Sequence, residues 1–184
     1  MIIGGGVTGL AAALSLDSLG IESVIVEKHS VLGGKVKEYS KVFPDFRSGK
    51  AISRELIENV EQSSRIKTIV SATVSKVERI NGAYSVTTTD KKQYKVKAII
   101  LAAGFDVFDA RFQEEYGYGV YPNVVNSLEL EALLEAGETK GGVLLRPSDG
   151  KPVNRMAIIF CVGSRSKRLG NPYCSRICCS YSTK

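Results

Sequence analysis

The segment IIGGGVTGLAAALSLDSLGIESVIVEK (residues 2–28) decides the predicted fold. Ile2 and Ile3 supply the end of a first strand, and residues 10–19 form a helix rich in small side chains that ends at Gly20. The stretch ESVIVEK then forms a second strand, since β-branched residues dominate it. Strand, helix and strand in this order make a βαβ unit, which predicts an α/β fold with a parallel sheet covered by helices.

The turn between the first strand and the helix has the spacing of a dinucleotide-binding loop. Gly4, Gly6 and Gly9 fit G-x-G-x-x-G, and Glu27 stands at the end of the next strand. The first glycine permits the tight turn, the second lets a pyrophosphate approach the backbone, and the third lets helix and strand pack closely. The acid can accept hydrogen bonds from ribose hydroxyls. The alternative is a turn required only for packing, with a solvated acid at the strand end.

The middle of the chain changes from helical to strand periodicity. Residues 51–64 carry apolar side chains at helical spacing. Residues 68–102 contain an Asn81-Gly82 pair between two β-prone runs, and a second turn follows at residues 90–92. This pattern predicts a three-stranded β-meander that leads into a buried strand at residues 98–102.

The last third of the chain predicts a helix and one more strand. Asn126 can cap the helix with Glu129 as its partner, and Gly137 can end it. The run NRMAIIFCVG (residues 154–163) predicts a buried strand. We therefore expect a first domain at residues 1–150 and the truncated start of a second α/β domain at residues 151–184, within a fragment of a longer protein.

Composition and charge exclude some classes of function. The formal net charge of +6 is spread along 184 residues, and no basic stripe interleaved with aromatic residues indicates nucleic-acid binding. No apolar run is long enough to cross a membrane, and the first residues do not resemble a secretory signal. We expect a cytoplasmic protein, in which clustered cysteines bind metal or do redox work.

The order of these motifs resembles the flavoproteins of the glutathione and thioredoxin reductase type. The glycine turn and acid are followed by Gly33-Gly34-Lys35, and AIILAAG (residues 98–104) stands where a strand returns to the same cofactor. The resemblance implies a Rossmann-type FAD-binding domain, in which Ala103 replaces the usual threonine of the closing motif. The FAD-binding residues that it implies are Gly4, Gly5, Gly6, Val7, Gly9, Glu27, Lys28, Gly34, Lys35, Val74, Ala103 and Gly104.

All four cysteines of the chain lie in its last 24 residues. Asn171-Pro172 predicts a helix start, which would place Cys174 and Cys178 on one helix face, with Cys179 further round and Cys161 closing the cage from the strand end. A [4Fe–4S] cluster needs one thiolate for each iron, so the four residues can hold one. The alternatives are a structural zinc site, a redox disulfide between Cys174 and Cys178, and inert thiols.

Three segments extend the resemblance to the flavin-containing A subunit of heterodisulfide reductase. They are EYGYGVYPNVVNSLELEALLEAG (residues 115–137), RPSDGKP (residues 146–152) and CVGSR…NPYCSRICCSYSTK at the chain end. The resemblance implies that the matching cysteines bind a [4Fe–4S] cluster, and that other subunits of a redox complex and ferredoxin-like electron carriers are the partners. The ferredoxin-type cysteine repeats of that family have no counterpart in this chain.

The function that we predict is electron transfer without a catalytic acid or base. The strand before Cys161 leads into cysteines where related flavoproteins carry a second glycine motif for NAD(P)H, so the nicotinamide site is replaced. The chain would be an oxidoreductase subunit that passes electrons between FAD and the cluster. The alternatives are a flavin-dependent disulfide reductase and a non-catalytic zinc scaffold, and Tyr116, Tyr118 and Tyr121 either contact the flavin or fill packing gaps.

Overall fold

A computed structural model describes residues 1–183, and the chain divides into two compact units. The first unit consists of Met1–Lys37 and Gly49–Phe105. The second consists of Glu38–Ser48 and the chain from Asp106 onward. These units do not coincide with the sequence-based boundary at residue 150, which stays a prediction, and Lys184 lies outside the described residues.

The first unit contains a four-stranded parallel sheet with two helices. Its elements are β1 (Ile2–Ile3), α1 (Val7–Ser18), β2 (Ser23–Val26), α2 (Gly49–Gln62), β3 (Ile66–Ile69) and β7 (Ile100–Leu101). The strands lie in the order β3-β2-β1-β7. The βαβ unit expected at residues 2–28 is confirmed, because β1 pairs in parallel with β2 and helix α1 connects them.

The core of the first unit lies between this sheet and its helices. Ile2 of β1, Leu10 of α1, Ile25 of β2 and Val60 of α2 are almost completely buried and belong to one apolar cluster. Burial of one such side chain contributes roughly 1.5–3 kcal/mol to folding. The cluster therefore fixes α1 on the sheet, and with it the glycine turn from which α1 starts.

The β-meander forms a separate antiparallel sheet of β4 (Val74–Ile80), β5 (Ala83–Thr88) and β6 (Gln93–Val96). The predicted hairpin is confirmed: Asn81 and Gly82 connect β4 to β5 with φ angles of 48° and 78°. Two consecutive positive φ angles are those of the turn that matches the twist of a hairpin, and Asn-Gly adopts them at little cost.

The second unit is mostly irregular, with α3 (Ser127–Glu138) and α4 (Cys178–Ser182) as its α-helices. The predicted capping of α3 is confirmed, because the Asn126 side chain accepts from the backbone N–H groups of Leu128 and Glu129. The Glu129 carboxylate accepts from the Asn126 backbone N–H in return. Gly137 does not end this helix, which continues to Glu138.

Two predicted buried strands differ from the structure. Residues 154–160 form no strand, and Met156 and Ile159 are 58% and 54% exposed. The strand predicted at residues 154–163 is therefore wrong, because an apolar run becomes a strand only where a neighbouring strand supplies hydrogen bonds. The strand expected at residues 98–102 is reduced to β7 at the sheet edge, where Leu101 is 76% exposed.

Within residues 1–183, none of the helices combines the length and the apolar character that a membrane span requires.

Candidate functional site: a glycine turn and a cysteine hairpin

The glycine turn is shaped by the packing of two of its glycines. Gly4 has a φ angle of 110°, and a Cβ atom added to it would overlap the Ala102 carbonyl oxygen. A Cβ atom on Gly9 would overlap the Gly4 carbonyl oxygen. The turn therefore closes only because neither residue has a side chain.

Gly6 differs from these two glycines because nothing in the first unit crowds it. Its φ angle is −78°, and an added Cβ would meet only the Gly34 Cα, at an ordinary contact distance of 3.7 Å. Gly6 is the N-cap of α1, and no side chain of the described residues caps this helix end by a hydrogen bond. Backbone N–H groups at an uncapped helix N-terminus can bind a phosphate, so the turn fits the pyrophosphate of a dinucleotide.

Glu27 is buried, and its carboxylate holds the glycine turn in place. One oxygen accepts from the Gly5 backbone N–H at 2.7 Å, and the other accepts from the His29 backbone N–H at 2.8 Å. Each carboxylate oxygen can accept a second hydrogen bond. The residue predicted to bind ribose thus has a structural role in the turn and keeps acceptor capacity for a hydroxyl group.

The second glycine pair lies directly beside the first turn. The Gly33 backbone N–H donates to the Gly5 carbonyl at 2.8 Å, and Gly6 pairs with Gly33 as an isolated parallel bridge. A Cβ on Gly34 would crowd the Gly6 Cα at 2.9 Å. The two glycine segments predicted to bind one cofactor are therefore neighbours.

Lys35 connects this region to the segment after β7. Its ammonium group donates to the Phe105 carbonyl at 2.5 Å and lies 5.3 Å from the centre of the Phe105 ring. Ala103 and Gly104 immediately precede Phe105 and are exposed. The structure therefore brings the predicted closing motif close to Lys35.

Three further predicted FAD-binding residues lie near the same end of the sheet. Val7 begins α1, Lys28 follows Glu27 as an exposed residue, and Val74 begins β4. Two residues before Val74, the Ala72 backbone N–H donates to the Glu27 carbonyl at 3.0 Å.

In the second unit, residues 161–174 form a hairpin that begins and ends with a cysteine; we call it the cysteine hairpin. Ser166 and Asn171 exchange backbone hydrogen bonds at 2.9 and 3.1 Å, and the Arg165 N–H donates to the Tyr173 carbonyl at 3.2 Å. These bonds pair the arm that follows Cys161 with the arm that precedes Cys174, so the two cysteines flank one hairpin although twelve residues separate them.

The predicted helix start at Asn171-Pro172 is wrong. Asn171 takes part in the hairpin, and α4 begins only at Cys178, so Cys174 does not share a helix face with Cys178. Asn171 uses its backbone in the hairpin and its side-chain amide in a hydrogen bond to the Gly163 carbonyl at 3.1 Å. The cysteines are therefore collected by a hairpin and a short helix instead of by one longer helix.

All four thiols are free, and Cys174 and Cys179 are exposed. A hydrogen bond with Ser175 lowers the pKa of the Cys178 thiol. Partial desolvation raises the pKa of Cys179, and the charges of the other three cysteines raise it further. The charges of Cys161, Cys174 and Cys178 thus all act on Cys179. In residues 1–183, however, no three His, Cys, Asp or Glu side chains are arranged to hold a single metal ion.

The comparison with known proteins decides the family. The sequence profile described as pyridine nucleotide-disulphide oxidoreductase matches residues 1–132 of the chain. The chain belongs to the pyridine nucleotide-disulphide oxidoreductase family. Its α/β fold is the FAD-binding Rossmann-like domain that the sequence predicted, with a parallel sheet and a small antiparallel sheet.

Among characterised sequences, this family member is similar to the iron-sulfur A subunits of CoB–CoM heterodisulfide reductase, as expected. In an alignment 263 residues long, it is 30% identical to one such protein of Methanopyrus kandleri and 30% identical to its counterpart in Methanocaldococcus jannaschii. Each alignment covers 100% of this chain, and the chain spans 40% of the length of each relative.

A solved structure with a similar fold is thioredoxin reductase of Lactococcus lactis in its FR conformation. The TM-score is 0.53 at 24% identity, and the match covers 64% of this chain and 39% of that enzyme. This likeness supports the fold of the oxidoreductase domain.

The tyrosines of the second unit have structural partners. The Tyr118 hydroxyl donates to the Glu129 carboxylate at 2.9 Å and accepts from the Asn126 side-chain amide at 2.8 Å, so it supports the capping box of α3. An added Cβ on Gly117 would overlap the Tyr121 ring, which therefore packs over this glycine. These contacts favour the packing role that the sequence analysis left open.

Sequence reasoning missed a group of residues around α4. The ring of Tyr181 in α4 packs edge-on against Tyr39 at 5.4 Å between ring centres. Burial raises the pKa of both phenols, with a further contribution from the buried Glu131, which accepts from the Ser40 backbone N–H at 3.0 Å. An acidic residue in an amphipathic helix gave no signal of burial, because such residues are usually exposed.

Proposed function

We propose that the chain is the flavin-containing electron-transfer module of a heterodisulfide-reductase-like complex and passes electrons between FAD and a [4Fe–4S] cluster. The observation that carries the proposal is the cysteine hairpin, which gathers Cys161 and Cys174 in an oxidoreductase of the flavoprotein family. Cys178 and Cys179 would complete the set of four ligands. FAD and the cluster supply the redox chemistry when bound, and the protein supplies binding, orientation and charge.

The donor set supports a cluster better than a single zinc ion. Structural zinc sites usually present their cysteines as C-x2–4-C pairs, and the adjacent Cys178 and Cys179 fit a tetrahedron around a single atom poorly. A cluster distributes its thiolates over four separate irons, so its ligands stand further apart. The similar proteins of M. kandleri and M. jannaschii are also named iron-sulfur subunits.

In the first unit, different residues would bind different parts of FAD. The N–H groups at the start of α1 would bind the pyrophosphate, with the open face of Gly6 leaving room for it. Glu27 would accept a hydrogen bond from a ribose hydroxyl. Lys35, which contacts Phe105, would hold the Ala103-Gly104 segment against the cofactor. The proposed set is otherwise as predicted: Gly4, Gly5, Val7, Gly9, Lys28, Gly34 and Val74.

In the second unit, the backbone near the cysteines would adjust the reduction potential of the cluster. The Arg176 N–H lies 3.4 Å from the Cys174 sulfur, and hydrogen bonds to ligand sulfurs raise the reduction potential of a cluster. Cys161 and Arg176 both have left-handed φ angles, of 63° and 62°. Such angles cost energy for residues other than glycine and concentrate at functional sites.

Under this proposal, the chain exchanges electrons with other proteins. Because it resembles one component of a larger enzyme and spans 40% of its length, we infer that electrons arrive from and leave for other subunits or ferredoxin-like carriers. A cytoplasmic location is part of this proposal.

Anaerobic purification and reconstitution with iron and sulfide test the proposed function. We expect flavin absorption together with a broad iron–sulfur shoulder that dithionite bleaches, and close to four irons for each chain, one per thiolate. Replacing the Cys174 thiol by a hydroxyl (Cys174→Ser) should reduce the iron content and leave the flavin bound. Ser180→Ala, an exposed change beside the cysteines, is the matched control.

The other outcomes distinguish the alternatives. Flavin bands without iron, together with a disulfide that forms reversibly between two of the cysteines, would establish a flavin-dependent disulfide reductase. Zinc without flavin would establish a scaffold. Either result rules out the electron-transfer proposal.

A further inference from the structure

One buried amide side chain, that of Gln113, forms a hydrogen bond with the backbone of the cysteine hairpin. Gln113 lies between two short 3-10 helices, Ala110–Phe112 and Glu114–Tyr116, and is only 7% exposed. Its side-chain oxygen accepts from the Gly163 backbone N–H at 2.8 Å, in a buried hydrogen bond between residues fifty positions apart. Gly163 follows Cys161 by two residues.

Gly163 is fixed on three sides. Its N–H donates to Gln113, and its carbonyl accepts from the side-chain amide of Asn171 in the opposite arm of the hairpin at 3.1 Å. Its φ angle is 81°, and an added Cβ would overlap the ring of Phe108. A continuous path of contacts therefore runs from Gln113 through Gly163 to Asn171, three residues before Cys174.

We propose that Gln113 is a positioning residue for the four-cysteine site, which sets the separation of Cys161 and Cys174 through its hydrogen bond to Gly163. The inference rests on the proposed function, since it concerns the geometry of the proposed cluster ligands. Gln113 does not contact the cysteines and acts through the backbone of the hairpin.

The backbone of Cys161 gives a reason for such support. A left-handed cysteine persists only where its surroundings determine it, and Cys161 has a φ angle of 63°. The Ser164 N–H closes a local turn to the Cys161 carbonyl at 3.0 Å, which binds the residue only within the loop. The Gln113 hydrogen bond ties this turn to a different part of the second unit, together with the ion pair of Arg168 and Glu115 at 3.2 Å.

Two substitutions at position 113 separate the hydrogen bond from the packing. Gln113→Leu keeps a side chain of similar length and removes the acceptor, which leaves the buried Gly163 N–H without a partner. Gln113→Glu keeps an acceptor oxygen at the same place. Gln62→Leu makes the same chemical change at an exposed glutamine in α2 and is the control.

The experiment measures three properties of the anaerobically reconstituted full chain: the rate of iron loss to a chelator, the electron paramagnetic resonance spectrum after reduction, and the flavin content. Loss of a supporting contact around a metal site typically costs 10- to 100-fold in affinity. We therefore expect Gln113→Leu to lose iron about tenfold faster and to show a changed spectrum with wild-type flavin content. Gln113→Glu should have the spectral line shape of the wild type. A general loss of stability at position 113 would not explain a changed spectrum in Gln113→Leu together with a normal one in Gln113→Glu.

The results that overturn the inference are distinct from those that overturn the proposed function. A wild-type chain that binds no iron overturns both. Iron in the wild type, with the same spectrum and iron-loss rate in Gln113→Leu, overturns only the positioning role. If Gln113→Leu does not fold, Gln113→Asn decides, since it withdraws the acceptor by one methylene group, and a wild-type spectrum in that variant overturns the inference.

Discussion

At the scale of single residues, the three glycines of the turn have two different roles. Gly4 and Gly9 are required by the protein itself, since a side chain on either would overlap a backbone carbonyl. Gly6 has an ordinary φ angle and an open face, so the fold would accept a methyl group there. The residue that is free of internal constraint is the one at which a bound phosphate would need space.

This difference predicts opposite results for two alanine substitutions. Gly9→Ala should lower the free energy of unfolding by about 1–3 kcal/mol, because the methyl group overpacks the turn. Gly6→Ala should lower the free energy of unfolding by no more than about 1 kcal/mol, the cost of alanine at an N-cap, and should remove most of the bound FAD, because the methyl group occupies the space of the pyrophosphate. Urea unfolding and flavin absorption measure the two properties.

Ser15→Ala, at an exposed position of the same helix, is the control for both variants. Normal flavin content in Gly6→Ala would show that the phosphates do not bind at this turn.

At the scale of elements, α3 depends on its N-terminus. The capping box of Asn126 and Glu129 gives acceptors to helix N–H groups that have none within the helix, and the Tyr118 hydroxyl binds both side chains. The same helix carries the buried Glu131 that accepts from Ser40. The cap therefore also determines where this carboxylate lies.

Asn126→Ala should lower the free energy of unfolding by about 1 kcal/mol, because the N–H groups of Leu128 and Glu129 lose their acceptor. Urea unfolding followed by circular dichroism measures the change, with Asn154→Ala at an exposed position as the control. Equal stability of the two variants would mean that the cap does not contribute in solution.

Local elements were predictable where the sequence itself contains their stabilising contacts. The hairpin at Asn81-Gly82 and the cap at Asn126 involve residues close together in the chain, so the pattern was sufficient. The strand expected at residues 154–163 and the helix expected from Asn171 were wrong, because each depends on which distant backbone forms the hydrogen bonds. No periodicity in the sequence carries that information.

At the scale of the whole molecule, the proposed FAD residues all belong to the first unit and the four cysteines all belong to the second. The sequence predicted both sets by residue type. It did not predict the contacts of Gln113 and Phe108 with Gly163, because neither a buried amide nor an aromatic ring packed against a glycine has a sequence motif. Nor did it predict that Glu27 binds the glycine turn at Gly5 with one carboxylate oxygen and the His29 backbone N–H with the other.

This separation predicts that each cofactor can be removed without the other. A variant with serine at all four cysteine positions should bind FAD as the wild type does and contain no iron. Gly6→Ala should lose flavin and keep its iron. Flavin and iron analysis of the purified variants measures both, and loss of FAD from the fully cysteine-free variant would contradict the prediction.

The run of residues 156–160 has a consequence for handling the protein. Met156, Ile158, Ile159 and Phe160 present at least 39% of their surface to water in one continuous stretch. Contiguous apolar surface of this kind promotes association between protein molecules, and kosmotropic salts such as sulfate strengthen the hydrophobic interaction. Purified samples should therefore form oligomers as concentration or sulfate rises, and cofactor stoichiometry is best measured on the monomer fraction from a sizing column.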